Sequence, residues 1–185
     1  MIDELFEELT DKMEKTLAIL NRDFSRVRTG RASVTLLDGI RVDAYGTQMP
    51  LNQVASLSVP ESRLIVIQPW DNGLISHIER SILKSDLGLT PMNDGKIIRV
   101  SIPALTEARR KELVKVVKKL TEENKVAIRN ARRDANEMLK ELKKDKGISE
   151  DELFKHQEKV QKLTDGYISQ ADKVCVDKEK EIMEF

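Results

Sequence analysis

From Ile2 to Val27 the apolar residues return at steps of three and four: Ile2, Phe6, Leu9, Met13, Leu17, Leu20, Phe24, Val27. Charged residues fill the gaps, and the pattern stops at Gly30. This spacing predicts an amphipathic helix that buries one stripe. A second helical pattern begins at Thr106 and Glu107, a plausible N-cap with an acidic first turn. It runs through Leu113, Val117, Leu120, Asn124, Ala127, Ala131, Ala135, Met138 and Leu142, and the alanines imply close helix approach. It should end near Lys146-Gly147, where glycine can take the left-handed position beyond a helix. A third start follows at once. Ser149 and Glu152 have the spacing of a capping box, and Ile148 and Leu153 that of a hydrophobic staple. Its stripe is Leu153, Val160, Leu163, Tyr167, Ala171, Val174, Lys178 and Ile182. At 1.5 Å per residue the three helices would be roughly 45, 60 and 55 Å long.

Between Ala32 and Leu105 the pattern changes, and all five prolines lie there. Short β-branched runs appear at Ile40–Tyr45, Leu64–Ile67 and Ile97–Val100, bounded by turn signals at Asp38-Gly39, Tyr45-Gly46 and Asn93-Asp94-Gly95. A helical stretch, Leu74 to Leu83, separates the last two runs. No long helix can bury its stripe alone. The expected fold is therefore α+β and multidomain: an antiparallel three-helix bundle from 1–30 and 105–185, with a small α/β, β-rich domain inserted at 31–104.

Composition suits this picture. Apolar residues are 39%, charged residues 35% and aromatics 4% of the chain, lean for one large core and suited to helices exposing most of their circumference. The net charge of zero hides one basic segment, since Thr106 to Lys146 carries 14 basic and 8 acidic residues, net +6. The acidic N-terminus has no basic or apolar leader region, and no apolar run approaches the ~20 residues of a membrane span. With one cysteine, Cys175, no internal disulfide is expected, and the protein is expected in the cytoplasm with no membrane contact.

An enzyme is disfavoured by inventory. His77 and His156 fall on different units, Cys175 is near neither, and no spacing resembles a zinc site, phosphate loop or nucleophile elbow. No catalytic residue, metal or cofactor is expected. Cys175 reads as a small buried hydrophobe and Trp70 as a lid on the core.

The basic segment carries more. With Ala131 taken as the centre of the core face, Lys111, Lys118, Lys125, Arg129, Arg132, Arg133 and Lys140 project to the opposite side, at about 100° per residue. Glu112, Glu123, Asp134 and Glu141 share one flank, while Glu107 and Glu122 interrupt the basic side. Arg129, Arg132 and Arg133 cluster within about one turn, and the planar guanidinium suits phosphate. No aromatic residue interleaves with them, so a folded RNA surface fits better than stacked single strands. The alternative is a scaffold or coiled coil whose basic face is only solvated. Arg28-Thr29-Gly30-Arg31 and Pro103-Ala104-Leu105 lie where the chain leaves and re-enters the bundle, and such paired crossings suit a hinge.

Several blocks resemble the ribosome recycling factor family. They are Arg28-Thr29-Gly30-Arg31-Ala32-Ser33, Leu36-Leu37-Asp38-Gly39, Ser85-Asp86-Leu87-Gly88-Leu89, Leu105 to Lys111, Val126 to Asn136 with its Arg-Arg-Asp-Ala-Asn, and Ile148 to Asp151. The likeness runs to the Phe185 end. It implies a long three-helix bundle hinged to a small α/β domain, together shaped like tRNA and acting as a monomer. It also implies a site on large-subunit ribosomal RNA at the subunit interface. Elongation factor G with GTP would then separate the subunits, freeing mRNA and tRNA. By the same resemblance Arg129, Arg132 and Arg133, and the arginines near Arg28, Arg31 and Arg110, would lie on or near the RNA-contacting side; Lys118 and Lys125 join Arg110, Arg129, Arg132 and Arg133 as expected RNA-binding residues by their spacing.

Overall fold

The computed structural model describes Met1–Glu184; Phe185 lies outside the described residues. In chain order its elements are α1 (Ile2–Arg26), β1 (Arg41–Ala44), β2 (Thr47–Pro50), α2 (Leu51–Val54), β3 (Ala55–Glu61), β4 (Leu64–Pro69), α3 (Ile75–Lys84), β5 (Pro91–Asn93), β6 (Ile98–Ser101), α4 (Glu107–Lys144) and α5 (Glu150–Glu184). The chain divides into two compact units, one of Met1–Thr29 with Glu107–Glu184 and one of Gly30–Thr106.

The first unit is a bundle of α1, α4 and α5, each packed on the other two. Cross-helix contacts give the directions. On α1, Lys12 meets Asp134 and Thr16 meets Asn124, so α1 runs against α4. Phe6 stacks at a tilt on His156 while Glu14 accepts from Tyr167, so α1 runs along α5. The buried stripe of α1 is Leu5, Phe6, Leu9, Met13, Leu20 and Phe24. On α5 it is Leu153, Val160, Thr164, Tyr167, Ala171, Cys175 and Ile182.

On α4 the stripe differs from expectation from Thr121 onward. Thr121, Ile128 and Leu139 are buried, whereas Ala127 and Met138 are exposed. A step of four from Asn124 reaches Ile128, and the larger side chain takes the core position. The core face is thereby centred about 40° away from Ala131.

Two local signals at the α4–α5 corner resolve differently. The capping box forms: the Glu152 N–H donates to Ser149 Oγ at 3.2 Å, and the Ser149 N–H donates to Glu152 Oε2 at 2.7 Å. The left-handed residue, however, is Lys146 (φ 58), not Gly147. Lys146 N–H bonds the Lys143 carbonyl and Gly147 N–H the Leu142 carbonyl, the paired bonds of a Schellman turn. Gly147 follows the left-handed residue, where a Cβ would sit 3.3 Å from the Leu142 carbonyl oxygen.

The second unit holds an antiparallel β1–β2 hairpin and a four-stranded antiparallel sheet of order β3-β4-β6-β5. The hairpin turns at Tyr45 and Gly46, both at positive φ (52 and 79). The core gathers Leu37, Val42, Leu51, Ile65, Ile67, Ile78, Ile82, Ile98 and Val100. Trp70 is no lid on it, being 70% exposed. The alternation of β4 explains this, because Ile65, Ile67 and Pro69 point inward and put residue 70 on the outer face.

Candidate nucleic-acid interface on the long central helix

Recentring the wheel of α4 divides the basic residues into two rows. Lys118, Lys125 and Arg132 lie on the flank toward α5. Lys118 Nζ is 4.0 Å from Glu179, Lys125 pairs with Asp172, and Arg132 Nη1 donates to Gln161 Oε1 at 3.3 Å. Lys125 is only 17% exposed at its side chain and Arg132 is half-buried, so neither projects opposite the core as expected. Arg110 also reaches α5, donating from Nη1 to the Met183 carbonyl at 2.9 Å while its buried Nε has no partner.

Arg133 and Lys140 occupy the outer row and are exposed. Arg129 borders this row and pairs with Glu122 at 3.1 Å, and Lys111 pairs with Glu107 at 3.1 Å. Three further exposed lysines, Lys115, Lys119 and Lys144, belong to the outer row. At about 100° per residue all three fall within roughly 20° of the point opposite the recentred core. Spacing alone could have found them, since all three lie within about 60° of the side opposite Ala131 as well.

The opposite flank is acidic and faces α1, with Asp134 at 3.7 Å from Lys12. Farther along, Glu4, Glu8, Glu141 and Asp145 surround a cleft between α1 and α4. Cations thus predominate on the outer and α5 sides of α4, interrupted by Glu107, Glu122 and Glu137, and carboxylates predominate on its α1 side. Such a polarity favours approach of a polyanion from the cationic side. Exposed ion pairs such as Arg129–Glu122 contribute about 0–1 kcal/mol, so a phosphate can displace the carboxylate at little cost.

The crossing residues sit as follows. Thr29 is buried in the bundle unit and donates from Oγ1 to Glu181 Oε1 at 3.3 Å. Arg28 is exposed beside it, while Arg31, Pro103 and Ala104 are exposed in the small unit. Gly30 is buried at φ +77, and a Cβ there would lie 3.2 Å from Leu105 Cγ. The first crossing is therefore packed against the second, and its conformation calls for glycine.

Candidates for chemistry are scattered. Cys175 is buried on α5, donating toward Glu179 Oε1 at 3.5 Å, and burial pushes its thiol up from the usual range. His77 stands on α3 and His156 on α5. Among the described residues no group of three or more His, Cys, Asp or Glu is placed to hold a metal, and no helix is long and apolar enough to cross a membrane.

Residues 20–183 match the family described as ribosome recycling factor. The ribosome-recycling factor of Syntrophus aciditrophicus is 62% identical over 185 residues, covering all of both chains. That of Desulfatibacillum aliphaticivorans is 57% identical over the same span. A solution structure of a ribosome recycling factor superposes with a TM-score of 0.76 at 43% identity, covering 100% of this chain and 98% of that one. A second structural relative superposes at TM-score 0.64 and 43% identity, with 98% of both chains covered. It is the T. thermophilus ribosome recycling factor, described with E. coli elongation factor G bound to the E. coli post-termination complex.

Proposed function

Because the chain belongs to the ribosome recycling factor family, we propose that it binds the post-termination ribosome and, with elongation factor G and GTP, promotes subunit separation and release of the ribosome from mRNA. Identity spread along the full length of its relatives is the observation that carries this reading. The bundle is the anchoring part. Arg110, Lys118, Lys125, Arg129, Arg132 and Arg133 contact phosphates of large-subunit RNA at the subunit interface, and each contact releases counterions from that RNA.

The small domain, 31–104, is the moving part. It turns about Arg28, Thr29, Gly30 and Arg31 on one crossing and Pro103, Ala104 and Leu105 on the other. The chain catalyses no reaction, needs no cofactor and works as a monomer in the cytoplasm; the GTP is hydrolysed by the elongation factor.

Cosedimentation with post-termination ribosomes over a salt series tests the anchoring. Binding should fall linearly in log–log form with a slope of several units, as expected when several phosphates are neutralised. Subunit splitting followed by light scattering, with elongation factor G and GTP, tests the outcome. A chain that bound without salt dependence, or that left subunits joined, would favour a scaffold with a merely solvated basic face.

A further inference from the structure

The small unit has a cationic cleft of its own. About 280 Å³ in volume, it lies between the β1–β2 hairpin and α3, with Arg41, Asp43 and Gln48 on one wall and His77, Arg80 and Lys84 on the other. The local sequence explains the arrangement. Val42 and Ala44 turn into the core, so Arg41 and Asp43 share the other face of β1, and the register sets Gln48 opposite Asp43. On α3 the buried stripe is Ile75, Ile78 and Ile82. That leaves His77, Arg80 and Lys84 together on one flank.

Three features give the cleft its chemistry. The side chains of Arg41, Arg80 and Lys84 make no hydrogen bond or ion pair with any described residue, and Asp43 is the one carboxylate in the lining. Uncompensated cations in a concave site concentrate positive potential. The hydroxyls of Ser81 and Ser85, also in the lining, already donate to the His77 and Ile82 carbonyls, so the cations and the Gln48 amide are left as donors. No Phe, Tyr or Trp lines the cleft, and the His77 imidazole is the one ring there, so the larger platforms for a stacked base are missing from the lining. What remains suits a phosphate held by guanidinium forks and an ammonium group.

We propose that this cleft binds a backbone phosphate of structured RNA, giving the small unit a contact separate from the α4 surface. The proposal rests on the ribosomal reading above, which supplies the RNA. It makes the small unit an RNA-binding part in its own right.

The test compares wild type with Arg80→Ala/Lys84→Ala in cosedimentation with post-termination ribosomes over a salt series. Both side chains are exposed, and an unchanged melting curve checks the fold. The double variant should bind roughly tenfold more weakly at low salt. Its log–log salt slope should be shallower by about 1. Unchanged affinity and slope would overturn the proposal. Should the double variant melt early, Arg41→Gln on the opposite wall must show the same loss, and an unaltered slope there overturns it equally. A wild-type chain that ignored ribosomes would sink the ribosomal reading and this one with it. Amide spectra of the full chain separate the sources of phosphate. A short RNA duplex should move the Ser81 and Ser85 signals at concentrations where inorganic phosphate does not, and the reverse order would overturn RNA as the ligand.

Discussion

The side-chain amide of Asn124 on α4 donates to the main-chain carbonyl of Thr16 on α1 at 2.6 Å, in the middle of the bundle. Asn124 is buried, and its Oδ1 has no partner. The residue thus ties two antiparallel helices at one register while leaving a polar atom unsatisfied. Asn124→Ala should lower stability by about 1–2 kcal/mol, from the lost hydrogen bond and the space left behind. Urea unfolding with an unchanged slope and a lower midpoint would show it; an unaltered midpoint would mean that the bond contributes nothing net.

The Ser149–Glu152 cap gives a pH signature. Hydrogen bonds from the Ser149 N–H and hydroxyl hold the Glu152 carboxyl below the usual glutamate range. A depressed folded value stabilises above the unfolded one and is lost as pH falls through the folded value. The contribution should therefore be complete at neutral pH and fade below about pH 4.3. Ser149→Ala should destabilise α5 by about 0.5–2 kcal/mol. Its deficit relative to wild type should shrink in acid, and a deficit constant from neutral pH down to strong acid would contradict the coupling.

Arg132 bonds Gln161 through a neutral oxygen at the flank toward α5, so its charge has no carboxylate to neutralise it there. Arg132→Ala should weaken ribosome binding by roughly 1–3 kcal/mol while helix content holds. Equal affinity for the two proteins, measured by cosedimentation, would remove Arg132 from the interface.

Gly30 imposes a different kind of demand. At φ +77, with Leu105 Cγ 3.2 Å from where a Cβ would stand, alanine meets both backbone strain and a crowded neighbour. Gly30→Ala should reduce stability by about 1–2 kcal/mol. Leu105→Ala in the same chain should relieve only the crowding, so the pair should deviate from additivity. Thermal melts of the two single variants and the double variant measure this, and strict additivity would mean that strain alone is felt.

How much of this was legible depended on how each residue is satisfied. The start of α5 was plain because a capping box depends on neighbours three apart. The core of α4 and α5 was less so, since Thr121, Thr164 and Cys175 are buried where an apolar count expects hydrocarbon. Each threonine donates to the carbonyl four residues earlier, Val117 and Val160 respectively, at 2.8 Å, which frees it to sit in the core. Skipping Thr121, and then taking Ala127 for Ile128, rotated the inferred core face by about 40° and set Lys118, Lys125 and Arg132 opposite the core, where the structure turns them toward α5.

In the small unit, the strands within β-branched runs were found and β2, β3 and β5 were not. Those three carry Pro50, Pro60 and Pro91 with serines and amides. β3 and β5 are the outer strands of their sheet, where a missing amide is tolerated. The hairpin–α3 cleft was invisible for another reason. Arg41 and Lys84 are far apart in sequence, and only the packing of α3 on β1 brings them to one cavity.

The insertion also has a consequence for synthesis. All the bundle partners of α1 lie beyond Glu107, so α1 leaves the translating ribosome before anything exists for it to pack against. A lone helix is marginal in water, while the Gly30–Thr106 unit can close on contacts within its own span. On a nascent chain, the amides of β4 and β6 should gain protection from exchange first. Those of α1 should stay labile until α4 has emerged.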